Sequence, residues 1–90
     1  MKEDLEQHLK KKIVLDTRSA WIYLGVLEAV TANSVVLSEV DVHDSGETST
    51  SKELYVLGSK TTGIKANRNL VYVNLDYVVS FSLLDDVIQF

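Results

Sequence analysis

Chemistry needs nucleophiles, acids, bases or ligands at workable spacing, and this chain offers few. It carries two histidines, His8 and His43, and no cysteine. Asp41 and His43 fall on one face of a strand, with Asp44 as a flexible third group. That set falls short of the closed tetrahedral shell a zinc ion takes, so no metal and no cofactor are expected. His8 reads as a surface residue. No Ser-His-Asp set, glycine-rich phosphate loop or spaced carboxylate pair forms a nameable motif, and the chain reads as a non-enzyme. Arg68, between Asn67 and Asn69, offers a planar fork to a phosphate or a base edge; a solvated turn arginine is the competing reading. Lys10, Lys11, Lys12 and Arg18 form a basic rim, or the lysines simply complement a helix C-terminus.

The bulk properties narrow the class. Ninety residues make one domain, spanning 1–90. Hydrophobic residues are 46% and charged residues 24%, an ordinary globular balance. The net charge of -4 excludes a protein-wide basic footprint for nucleic acid. A domain this small is marginal alone. With disulfides excluded, self-association is the available source of added stability. No apolar run reaches the roughly 18 residues of a membrane helix. The start, Met1-Lys2-Glu3-Asp4, leads into a polar stretch rather than a signal core. A cytoplasmic protein with no membrane partner is expected.

The elements follow from periodicity. Leu5 and Leu9 share a face over residues 2–12, which predicts a short N-terminal helix. The period then changes to strands at Ile13–Leu15, Trp21–Val30 and Val35–Val42, separated by the turns Asp16–Ser19 and Thr31–Ser34. Two more strands follow at Leu70–Val73 and Val78–Leu84, so that 13–43 holds three strands and 70–84 two. The variable segment 44–69 opens with a polar loop. Thr50 and Glu53 fit a capping box, Leu54 and Leu57 share a face, and Gly63 ends the segment. A short helix at about 51–60 is expected, with a strand through Leu54–Leu57 as the alternative. Residues 85–90 form a tail in which Asp85 and Asp86 are solvated and Val87, Ile88 and Phe90 pack. The fold class is all-β: an N-terminal helix followed by a five-stranded, bent, antiparallel open barrel. Trp21 to Leu27 is apolar on both faces, so both faces need a cover. Gly25 marks the place where the long strand bends.

With those residues in view, the chain resembles the Sm and Sm-like family, in a divergent bacterial or phage form. Ile22-Tyr23-Leu24-Gly25-Val26-Leu27-Glu28-Ala29-Val30 looks like the first signature of that family. There, a glycine in a bent second strand is followed by apolar residues two and five places on, here Leu27 and Val30. Val35-Val36-Leu37 matches the apolar third strand. Other SH3-like small barrels are the alternative. The resemblance implies a homo-oligomeric ring of about five to seven subunits, in which the fourth strand of one copy pairs with the fifth of the next. The strands concerned would put Leu70, Val71, Tyr72, Val73, Val79, Phe81 and Leu83 at the subunit interface, where they would otherwise leave sticky edges.

The resemblance also implies single-stranded RNA binding at two loops beside the pore. The first is Thr31-Ala32-Asn33-Ser34, with Thr31 where relatives carry Asp and Asn33 where they carry an aromatic. The second is Asn74-Leu75-Asp76-Tyr77, with Asn74 and Leu75 near a Lys-His pair of bacterial relatives. An alternative register makes Ala66–Asn69 that loop. Asn33, Asn74, Arg68 and Tyr77 are the candidate contacts. Against them, Asn33 is an ordinary turn residue and Tyr77 a core residue with a wet hydroxyl. The missing stacking aromatic and cation favour the other reading, an assembly protein with a protein partner and no RNA.

Overall fold

Leu5, Ile13, Leu15 and Leu27 are all fully buried, and the path of the chain follows from that convergence. The computed structural model describes residues 1–47 and 50–88. Helix α1 (Lys2–Glu6) leads into β1 (Lys12–Thr17), β2 (Trp21–Val30) and β3 (Ser34–Asp44). Helix α2 (Lys52–Thr62), β4 (Arg68–Asn74), a 3-10 turn (Leu75–Tyr77), β5 (Val78–Leu83) and a second 3-10 turn (Leu84–Asp86) follow. The strands form one antiparallel sheet in the order β4-β3-β2-β1-β5. The expected helix-plus-five-strand barrel is present. Because β4 runs through Arg68 and Asn69, the last loop is 74–77 and not 66–69.

Two irregularities bend the long strands β2 and β3. At the first, Leu24 pairs with Asp41 and Val26 with Ser38, leaving Gly25 opposite both Glu39 and Val40. Glu39 adopts a left-handed φ of 48°, as a bulged residue can. A Cβ on Gly25 would lie 3.0 Å from the Ser38 carbonyl oxygen and 3.3 Å from Val40 Cγ2. Glycine is therefore required by close approach, in the bend where it was expected. At the second, Leu27 pairs with Leu37 and Ala29 with Val36, so Glu28 is the extra residue.

The curl separates two apolar clusters. Leu5, Ile13, Leu15, Leu27, Val35, Leu37, Val40, Val73 and Val78 fill the inside. Val14, Ile22, Leu24 and Leu84 lie on the outside, under Tyr55, Val56, Ile64 and Val87. Helix α2 is thus the outer cover that the two-sided strands demand. Burying these side chains drives the arrangement, at about 1.5–3 kcal/mol for each large one.

Several expectations on the helices are corrected. The helix predicted at 51–60 forms and the strand alternative does not. Its N-cap is Ser51, whose hydroxyl accepts the Leu54 N–H at 3.2 Å, so Thr50 and Glu53 make no capping box; Glu53 sits one position too early. Gly63 ends the helix with φ 89°. The buried side presents Tyr55 and Val56, while Leu54 is 62% exposed. Helix α1 is five residues and not eleven, because Lys10 turns the chain with φ 69°. The Lys10 N–H then donates to the Leu27 carbonyl at 2.7 Å, and the Leu27 N–H to the Lys11 carbonyl at 2.9 Å. Backbone pairing with β2 thus outcompetes a further helical turn, Leu9 is left outside, and the lysines lie beyond any helix C-terminus. His8 is half-buried, its ring centroid 6.0 Å from that of Phe81. Val87 packs and Ile88 is exposed; Phe90 lies outside the described residues. Among the described residues no helix is long and apolar enough to cross a membrane.

Candidate nucleic-acid interface

The β2–β3 turn is built by Thr31. Its Oγ1 accepts the N–H groups of Asn33 and Ser34 at 3.3 and 2.9 Å, while its own N–H donates to the Ser34 carbonyl at 2.8 Å. The hydroxyl is thereby spent on the turn. Asn33 projects from the tip and is exposed. Its carbonyl accepts the Leu75 N–H at 2.8 Å, which ties this turn to the link between β4 and β5. Asn74 pairs with Ser34 across the ladder, and its Oδ1 caps the 3-10 turn by accepting the Asp76 N–H at 2.9 Å. Capping fixes the amide and leaves its Nδ2 as the donor for a ligand. Asn33 and Asn74 therefore sit side by side.

The other two candidates lie elsewhere. Tyr77 is 58% exposed and not a core residue. It ends the 3-10 turn on the β1 side, where its carbonyl accepts the Arg18 N–H at 3.0 Å. Arg68 opens β4 and donates from Nη1 to the Asn67 carbonyl at 3.0 Å. Six strand residues put it about 20 Å from Asn74, so the structure does not bring it to the two asparagines. The loops carry Asp76 and no cation of their own. Nearby on β2, Glu28 is bound by Lys10 and accepts from the Ser38 hydroxyl at 2.5 Å. The Lys10 contact, then Ser38, holds its carboxyl below the usual range.

The expected interface residues divide by face. Leu70, Tyr72 and Val79 are 51%, 65% and 54% exposed. Val73 is instead part of the inner core, with Val71, Phe81 and Leu83 half-buried against it. Strand alternation explains the split: inward residues close their own barrel, and only their neighbours face out. β4 and β5 each have one strand neighbour.

One cluster was legible in part. Asp41 and His43 do share a face, and Tyr55 of α2 takes up both. The Tyr55 hydroxyl donates to the buried Asp41 carboxylate, and its ring stacks on His43 at 3.6 Å and 8°. Burial, then the Asp41 carboxylate, pushes the Tyr55 hydroxyl up to about 12. Asn67 Nδ2 also reaches Asp41, at 3.5 Å. Among the described residues no three acidic, histidine or cysteine side chains converge on a cation site.

No family model and no curated protein matches the sequence. Solved structures match the fold. The Sm protein of Pyrococcus abyssii in complex with a uridine heptamer aligns at a TM-score of 0.61 and 13% identity, covering 90% of this chain and 93% of that one. The chain has an Sm-like fold. A novel Sm-like archaeal protein from Pyrobaculum aerophilum aligns at 0.60 and 18% identity, over 92% of this chain and 50% of its own length. A chain of the NatC complex bound to Gag peptide and CoA aligns at 0.56 and 17% identity, over 88% and 89%. The Sm-like barrel here carries α2 between its third and fourth strands, tied down by Tyr55.

Proposed function

We propose that this chain assembles into a closed ring of about five to seven copies and binds single-stranded RNA where the Asn33 and Asn74 loops meet. The observation that carries the reading is the Leu75-to-Asn33 hydrogen bond, 2.8 Å long, which holds the two asparagines together at one end of the sheet. A ring repeats that pair around its axis. Each pair offers amide donors and acceptors to the edge of an unstacked base. Tyr77, exposed on the far side of the same link, offers a stacking face. The uridine heptamer bound by the Pyrococcus protein of the same fold supports the choice of ligand. In this reading the chain is a cytoplasmic binding module with no catalytic step.

Gel shifts with U-rich and A-rich oligonucleotides, titrated in salt, test it. Binding at low salt is expected, lost in an Asn33→Ala/Asn74→Ala double variant that keeps its ring mass. An absence of any shift at low salt, where phosphate contacts are strongest, sinks the RNA reading. A second reading has its own support. The net charge of -4, Asp76 in the site and the absence of a cation in both loops favour a ring that binds a protein instead. A pull-down that recovers a protein and no nuclease-sensitive material would select it.

A further inference from the structure

Where α2 passes over β3 it leaves a cavity of about 250 Å³. Asp41, Tyr55 and the buried Ser59 line its inner end, and Lys65 lines its mouth. Leu54, Gly58 and Thr62 line it too; spaced by four, they share one face of the helix. The volume is below the roughly 300–1,000 Å³ of sites for drug-sized ligands, so it suits a small molecule.

The polar groups at the inner end have already spent their protons. The Tyr55 hydroxyl donates to the Asp41 carboxylate. Ser59 Oγ donates to the Tyr55 carbonyl at 3.1 Å, and Thr62 Oγ1 to the Gly58 carbonyl at 2.9 Å. A hydroxyl has one proton to give, so these three oxygens have only lone pairs left. The Asp41 carboxylate is an acceptor as well, and Asp41 is 3% exposed. Its donors are neutral, the Tyr55 hydroxyl and the Asn67 amide, and among the described residues no cation pairs with it. A buried carboxylate without a cation is costly. The inner end therefore calls for a positive group with several N–H donors. At the mouth the charge is reversed. Lys65 is exposed there, and among the described residues it is in no ion pair.

Gly58 keeps the helix wall of the cavity bare. Glycine weakens a helix interior relative to alanine, and packing does not call for it here, because a Cβ on Gly58 would meet nothing within 4 Å. What its absent side chain provides is room.

We propose that this cavity binds a small zwitterion of the amino-acid type. Its ammonium sits against Asp41, with Ser59 and Thr62 accepting from it. Its short chain runs along Leu54, and its carboxylate meets Lys65. The site lies beside Asn67, at the end of β4 remote from Asn74, so it stands or falls apart from the RNA reading.

Glycine, β-alanine and γ-aminobutyrate form a length series of such zwitterions, and butylamine and butyrate each keep one charged end. Amide NMR titrations of the full chain to millimolar concentrations compare them. At least one zwitterion of the series is expected to bind, butylamine about tenfold more weakly, and butyrate not at all. Asp41→Asn should weaken both amine-bearing classes by about tenfold or more. Lys65→Gln should lower the zwitterion to the level of butylamine and leave butylamine unchanged. Gly58→Leu puts a side chain beside the cavity and a better helix former in α2. It should unfold at the same or higher urea concentration and yet lose binding, a result that stands even if Asp41→Asn fails to fold. Failure of the whole series to bind overturns the proposal. So does butyrate binding as well as the zwitterions, or undiminished binding in folded Gly58→Leu or Asp41→Asn.

Discussion

At Gly25 a single missing Cβ lets β3 approach β2 at the bend. Gly25→Ala places a methyl 3.0 Å from the Ser38 carbonyl. The backbone cannot yield there without loosening the bulge, so a loss of about 1–3 kcal/mol is expected in urea unfolding. Tyr55→Phe removes the hydroxyl donor from the buried Asp41 carboxylate, at a cost of about 1–3 kcal/mol. The same variant checks the titration. The ordinary tyrosine value is 10.0 and Tyr55 is raised to about 12. Its contribution is whole below pH 10 and is lost as pH rises from 10 to about 12. A difference titration of wild type minus Tyr55→Phe should therefore place the tyrosinate absorbance near pH 12. Glu28 has the opposite sign. Its contribution is present above 4.5 and fades as pH falls below that through its lowered folded value; Glu28→Gln should flatten that part of the acid unfolding curve. Gly25 was legible because a glycine inside an apolar run has few other reasons. The Tyr55–Asp41 contact was not, because nothing in two segments of sequence says which strand a helix will cover.

Elements were legible in kind more than in extent. Strand β2 was read to the residue, since Trp21 to Val30 is bounded by turns on both sides. Helix α1 was overextended because Leu5 and Leu9 keep helical spacing while the lysines after them pair with Leu27 instead. At α2, the Thr50–Glu53 spacing mimicked a capping box one residue ahead of the true cap. Ser51→Ala should cost about 1 kcal/mol in thermal or urea unfolding, and Leu54→Ala, on the exposed side, less than about 0.5 kcal/mol. The helix is also held by Lys52, which donates to the Asp16 carboxylate at 2.5 Å and to the carbonyls of Thr17 and Ser19. Its far end is held by Lys60, which donates to the Asp85 carbonyl at 2.5 Å. The 3-10 link from β4 to β5 brings Asn33 and Asn74 together. Their neighbourhood was legible through the family resemblance and not from either loop alone, because each amide looks like any turn asparagine until the ladder aligns them.

For the molecule as a whole, the sheet ends in two strands with one neighbour each. Native mass by light scattering is expected to be a multiple of the chain mass of 10.1 kDa, and Val79→Lys with Tyr72→Lys should shift it towards a single copy. The strand order has a second consequence, for synthesis. Position 13 pairs with position 83, so β1 gains its second flank only after β2, β3, α2 and β4 have left the ribosome. Until then Ile13 and Leu15 stand beside an empty lane. Contacts this distant along a chain close slowly, and the newly made protein must be shielded from its sister chains for that interval.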